Sequence, residues 1–216
     1  MTYTPITPGT INWDVPVNAA FTSQDSRITS NEGRLNGLES KQVIGPSDAG
    51  WIAWNYDPAT AQGSTTLTTG QMFMSRLDIR SSATAVNAIY ALNAVGVTLT
   101  SGQNLVGLYD SSGNLLATSA DQSANWLSTG LKVTAFTSSV SIAAGTYHLG
   151  FLSNGATPMS LLRSMATSAQ NATVNLGFSA SAARWATTGA GLTALPTPVT
   201  MSGRAASFGS AWAALS

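Results

Sequence analysis

The hydrophobic period of this chain changes at Gly45-Pro46-Ser47-Asp48-Ala49-Gly50, and that change limits the available folds more than any other feature. Two glycines and a proline within six residues break regular structure and mark a boundary. Before it, residues recur at heptad spacing. Phe21, Ile28, Leu35 and Gln42 hold one seam position, and Val17, Gln24, Asn31 and Leu38 hold the other. After it, apolar and polar residues alternate in short runs bounded by turn residues, the pattern of half-buried strands.

The heptads predict a helix over 17–44 that forms a coiled coil, with Arg27, Glu32, Arg34 and Glu39 flanking the seam. Gly33 and Gly37 each cost about 1 kcal/mol relative to alanine in a helix interior. A helix of this length is marginal in isolation, so partner helices are expected to bury Phe21, Ile28, Leu35 and Leu38. Packing of an amphipathic helix on its own domain gives the same period and remains the alternative. Gln24 and Asn31 weaken the seam but oppose slipped registers, because a slip sets their amides against apolar side chains. Upstream, Pro5, Pro8 and Gly9 predict an extended arm over 1–16, and 45–50 reads as a linker.

Beyond the linker, strands are predicted at 51–57, 65–67, 71–80, 85–92, 104–109, 115–118, 131–137, 146–152, 173–178, 199–203 and 205–212. Short strands at this spacing form an antiparallel sandwich or barrel over 51–216. Asp110-Ser111-Ser112-Gly113-Asn114 reads as a hairpin loop, and Tyr147, Leu149 and Phe151 share one face of a strand. Leu161, Leu162 and Met165 allow one short helix, but no alternation of strands and helices calls for a parallel sheet.

Only 8% of the 216 residues are charged and the formal net charge is zero, whereas Ser and Thr fill 55 positions. Nine scattered cations make no basic patch, so no nucleic-acid partner is expected. No run reaches the roughly 18 to 20 apolar residues of a membrane span, and the opening lacks the pattern of a signal peptide. Zero Cys and one His leave no cluster of metal ligands, and no cofactor is expected. Asp48, Asp57, Asp78, Asp110 and Asp121 are the only carboxylates after Lys41, too few to favour an acid–base pair. The motifs GxGxxG, GxxxxGK[ST] and GxSxG are absent, and His148 is expected to be a satisfied or surface histidine. Asn171-Ala172-Thr173 matches a glycosylation sequon, a short pattern frequent by chance.

Aromatic rings on a hydroxyl-rich surface stack on sugars. Trp51, Trp54, Tyr147 and Trp212 sit in strand-like runs and are expected in the core. Trp126, Trp185 and the neighbouring Arg184 lie in polar or small-residue stretches and are the candidate carbohydrate contacts.

Gly9-Thr10-Ile11-Asn12-Trp13-Asp14-Val15-Pro16-Val17-Asn18-Ala19-Ala20 followed by a short coil resembles the start of tailed-bacteriophage minor tail and fibre proteins. The segments 102–110, 126–132 and 144–152, with Ala194-Leu195-Pro196-Thr197, resemble the jelly-roll-like heads of that family. The resemblance implies a mainly β protein, with a jelly-roll-like β-sandwich head after a short coiled coil. It further implies a homotrimer on the virion, an arm docked on other virion proteins and a non-enzymatic head that recognises host surface glycan. Trp126 falls in the family's Trp-x-Ser-Thr-Gly pattern, which favours Trp185 as the contact. A capsid decoration or head-fibre protein, and a glycan depolymerase acting through Asp57 or Asp121, are the alternatives.

Overall fold

The computed structural model describes residues 14–39, 44–164, 175–207 and 209–216, with helix side chains described from Ala20 to Gly33. The chain divides into two compact units at Ile44/Gly45. The first contains helix α1, Asp14–Glu39. It begins three residues before the predicted start, because Pro16 falls in the first turn, where backbone N–H groups have no intrahelical acceptor to lose. Most of the arm predicted at 1–16 lies outside the described residues, as do residues 40–43.

The second unit is built of antiparallel strands: β1 Ala53–Trp54, β2 Ala61–Thr66, β3 Phe73–Ile79, β4 Ala83–Ala94, β5 Val97–Leu99, β6 Leu105–Asp110 and β7 Leu115–Thr118. Then follow β8 Gly130–Ile142, β9 Gly145–Leu152, β10 Gly155–Thr157, β11 Ser160–Ser164, β12 Trp185–Thr187, β13 Ala205–Ala206 and β14 Ala213–Leu215. One sheet runs β1-β14-β4-β11-β2, with β8 along the other edge of β4. The second runs β13-β12-β3-β9-β6-β7, and β5 pairs with β10 in a separate ribbon. The chain crosses between the two large sheets at nearly every connection, from β2 to β3 to β4, and from β7 to β8 to β9 to β11.

Alternation fixes the core. On β9, Leu149 and Phe151 face inward with Leu77 and Phe73 of β3 and Val106 and Leu108 of β6. Opposite them stand Ala88, Tyr90 and Leu92 of β4, Phe136 of β8 and Leu161 of β11. Burying a side chain of Leu or Phe size contributes about 1.5–3 kcal/mol. A second apolar layer of Met72, Met74, Tyr109, Leu152, Val199 and Met201 covers the outer face of the β3-β9-β6 sheet. Gly150 allows that layer to lie close: a Cβ there would meet Met72 Sδ at 2.6 Å.

Several predicted elements change. The run at 51–57 keeps only the two paired residues of β1, and 199–203 holds a 3-10 turn at Met201–Gly203. Within 173–178 the described residues from Asn175 form a turn, the rest lying outside the described residues. Leu161 and Leu162 belong to β11, not to a helix, because Leu161 is drawn into register with Leu92 and with Thr65.

Candidate functional site

Every described side chain of α1 is exposed. Phe21 and Ile28, one heptad apart, are 60% and 55% exposed, and Gln24 and Asn31 of the other seam position are exposed as well. Val17, Leu35 and Leu38 lie in the same helix, with side chains outside the described set. An exposed Phe–Ile pair at this spacing is a surface able to take a second helix.

The expected sugar-stacking residues lie elsewhere than predicted. Trp126 is completely buried. Its Nε1–H donates to the Tyr90 hydroxyl at 2.8 Å, and that oxygen pairs with Thr134 Oγ1 at 2.8 Å. Burial pushes the Tyr90 phenol up to about 12 despite the hydrogen bonds from Thr134 and Trp126. Trp185 is 3% exposed on β12, donates Nε1–H to the Ala211 carbonyl at 3.0 Å and packs edge-on with Tyr56. The half-buried Arg184 guanidinium stands 4.5 Å from the Trp185 ring centroid and occupies that ring itself. Its pKa is lowered by burial and by the nearby Arg76 cation. Neither indole has a free face for a sugar, so stacking through Trp126 and Trp185 is corrected to core packing.

Of the aromatic residues expected inside, Trp212 is buried, whereas Trp51, Trp54 and Tyr147 are half-buried. Trp51 packs against Trp54 and Trp212, with ring centroids 6.0 and 5.5 Å apart. These rings lie on the outer face of the sheet containing β4, where strand register extends an apolar row from Trp54 through Ala214 and Ile89 to Val133. Val133 and Leu131 are 59% and 58% exposed. The row contains no charged residue.

The carboxylates are engaged in local turns, in one longer-range backbone contact and in one ion pair. Asp57 accepts from Ala59 N–H and Asp48 from Gly45 N–H, while Asp110 accepts from Ser112 and Asn114 across its hairpin. Asp121 accepts from Asn104 N–H and Ser123 Oγ–H, and Asp78 is paired with Arg76 at 2.9 Å. Burial alone would raise the carboxyls of Asp110 and Asp121, but the converging donors hold both below the usual range. His148 is neither satisfied nor at the surface. It is 1% exposed, and neither ring nitrogen has a hydrogen-bond partner among the described residues. Burial, then the Arg204 and Arg76 cations, drive its pKa down to about 3.

A feature missed in the sequence is a cleft of about 270 Å³ between the segments at 188–192 and 196–204. Its walls are tied to strand β6 and to neighbouring turns: Leu192 N–H donates to Gly70 O, Tyr109 Oη to Pro196 O, and Val199 N–H to Gly113 O, at 2.8, 3.1 and 2.8 Å. Arg204, 4% exposed, lines it. The available signal was charge: after Asp121 the sequence has no carboxylate but keeps Lys132, Arg163, Arg184 and Arg204. No protein-family model matches this chain, and no curated protein matches it.

Proposed function

We propose that the chain is a non-enzymatic attachment protein of a tailed-phage virion, a tail-fibre type adhesin in which the helix self-associates and the β head binds host surface carbohydrate. The observation that carries this reading is the 26-residue helix with Phe21 and Ile28 exposed, preceding a low-charge β unit. A coiled coil of three copies covers those side chains. The head is a jelly roll in this reading. The strand orders β2-β11-β4-β8 and β3-β9-β6-β7, with the chain alternating between sheets, support two interleaved Greek keys. The uncharged row from Trp54 to Val133 supports contacts between heads, since identical copies meet there without like-charge repulsion. The engaged carboxylates speak against depolymerase chemistry, because Asp57 and Asp121 each accept from a backbone donor and share no hydrogen-bonding partner among the described residues.

An antibody to the chain is expected to label the tail of intact particles, and the purified protein is expected to bind host cells until periodate destroys their vicinal diols. Labelling of the capsid would replace the adhesin reading with that of a decoration protein. Undiminished binding after periodate would remove carbohydrate as the receptor.

A further inference from the structure

We propose that the cleft beside Arg204 binds a carboxylate-bearing sugar, with the Arg204 guanidinium as its counter-charge. This names a ligand class for the glycan-binding reading above and rests on it. Three of the four polar contacts of Arg204 are to backbone oxygens: Nε–H donates to Met201 O at 3.3 Å, and Nη2 donates to Ala180 O and Ser181 O, both at 2.9 Å. Among the described residues Nη1 meets only the Met74 thioether, at 3.7 Å. Thioether sulfur is a weak acceptor, so one amino group of a buried guanidinium lacks an oxygen partner among the described residues.

The charge is unmatched as well. The ion pair among the described residues is Arg76–Asp78, and Arg204 has none. A buried cation without a counter-charge carries a desolvation penalty that an anion relieves. Burial lowers the pKa of Arg204 to about 10, so it stays charged at neutral pH.

The cleft fits the remainder of such a ligand. Leu192, Pro196 and Pro198 give apolar walls for the face of a pyranose, and the volume of about 270 Å³ suits one ring better than a polymer segment. Among the described residues Arg204 is the only charged one lining it. One positive charge balances a carboxylate, whereas a phosphate monoester dianion would leave excess negative charge in the site. The walls are hydrogen-bonded to β6 and to the turns at Gly70 and Gly113 before any ligand arrives, so little ordering is needed on binding.

The test is titration of the full chain with sodium glucuronate, methyl glucoside and glucose 6-phosphate, followed by calorimetry and by the Arg Nε–H signals in NMR. Glucuronate is expected to bind at least about tenfold more tightly than either other sugar and to shift the Arg204 signal. Ala190→Phe fills the cleft from an exposed position without removing Arg204, and is expected to weaken glucuronate by about tenfold or more. Arg204→Gln, checked for folding by thermal melting, is expected to abolish the preference for glucuronate over methyl glucoside. Equal binding of methyl glucoside, equal or tighter binding of glucose 6-phosphate, or glucuronate binding untouched by Ala190→Phe overturns the proposal. Periodate-sensitive binding to cells that neither glucuronate nor Ala190→Phe affects would also overturn it, with the adhesin reading intact. Glucuronate bound in the cleft by a protein that fails to bind cells would support the site and defeat the adhesin reading.

Discussion

Replacing His148 with leucine should change how stability depends on pH. The imidazole is buried on the outer face of β9, with no partner at either nitrogen among the described residues and with the Arg204 and Arg76 cations acting on it. Its pKa falls from 6.5 in the unfolded chain to about 3 in the fold. Between those values the unfolded chain takes up a proton that the folded chain refuses, so stability is full above pH 6.5 and is lost as pH falls toward 3. Each pH unit in that window is worth about 1.4 kcal/mol, giving a loss of about 3 kcal/mol by pH 4 and ~5 kcal/mol at its limit. His148→Leu removes the proton site and also a buried polar ring whose missing hydrogen bonds cost about 1–3 kcal/mol. Urea unfolding followed by tryptophan fluorescence at pH 8, 6, 5 and 4 measures the difference between parent and variant. Asp121, which is not among the charges acting on the imidazole, titrates in both proteins and cancels in that difference, whereas Asp78 and Asp110 oppose part of the shift. The variant should equal or exceed the parent at pH 8 and gain steadily on it below pH 6.5. A difference that stays flat with pH would show that His148 takes up its proton equally in the folded and unfolded chain.

Further consequences concern packing and assembly. Trp126→Phe deletes the donor to the Tyr90 hydroxyl and should cost about 1–3 kcal/mol in urea unfolding, with binding to cells unchanged; a loss of cell binding at full stability would return Trp126 to the contact surface. Gly113→Val should destabilise by more than about 1–3 kcal/mol, because Gly113 has φ +91° and its new Cβ would overlap the Val199 carbonyl oxygen. A thermal melt identical to that of the parent would contradict the close contact between the β6–β7 hairpin and the wall of the cleft. Val133→Asp places a carboxylate on the exposed apolar row and should weaken self-association without changing the far-ultraviolet circular dichroism spectrum. Sedimentation equilibrium indistinguishable from the parent would remove that face from the interface.

How much of this was legible in the sequence depended on the range of the interactions. The β6–β7 hairpin could be read because Asp110 satisfies Ser112 and Asn114 within its own loop. Strands β3, β4, β8 and β9 could be read because each is long enough to alternate. Trp126 could not be placed, since its polar partner Tyr90 lies 36 residues earlier and four of the five residues before it are polar. Trp185 was hidden by the shortness of β12, where three residues give no period to read. The cleft was invisible for a similar reason: the acceptors of Arg204 are carbonyls at 180, 181 and 201, and backbone carbonyls leave no mark on side-chain composition.

Sedimentation of the full chain beside a Phe21→Ser/Ile28→Ser double variant reads out helix-mediated self-association. The parent is expected to sediment as a trimer, at three times the chain mass of 22.2 kDa, and the variant to dissociate while its β unit stays folded. A parent that sediments at 22.2 kDa, or a trimer indifferent to both substitutions, would contradict that expectation.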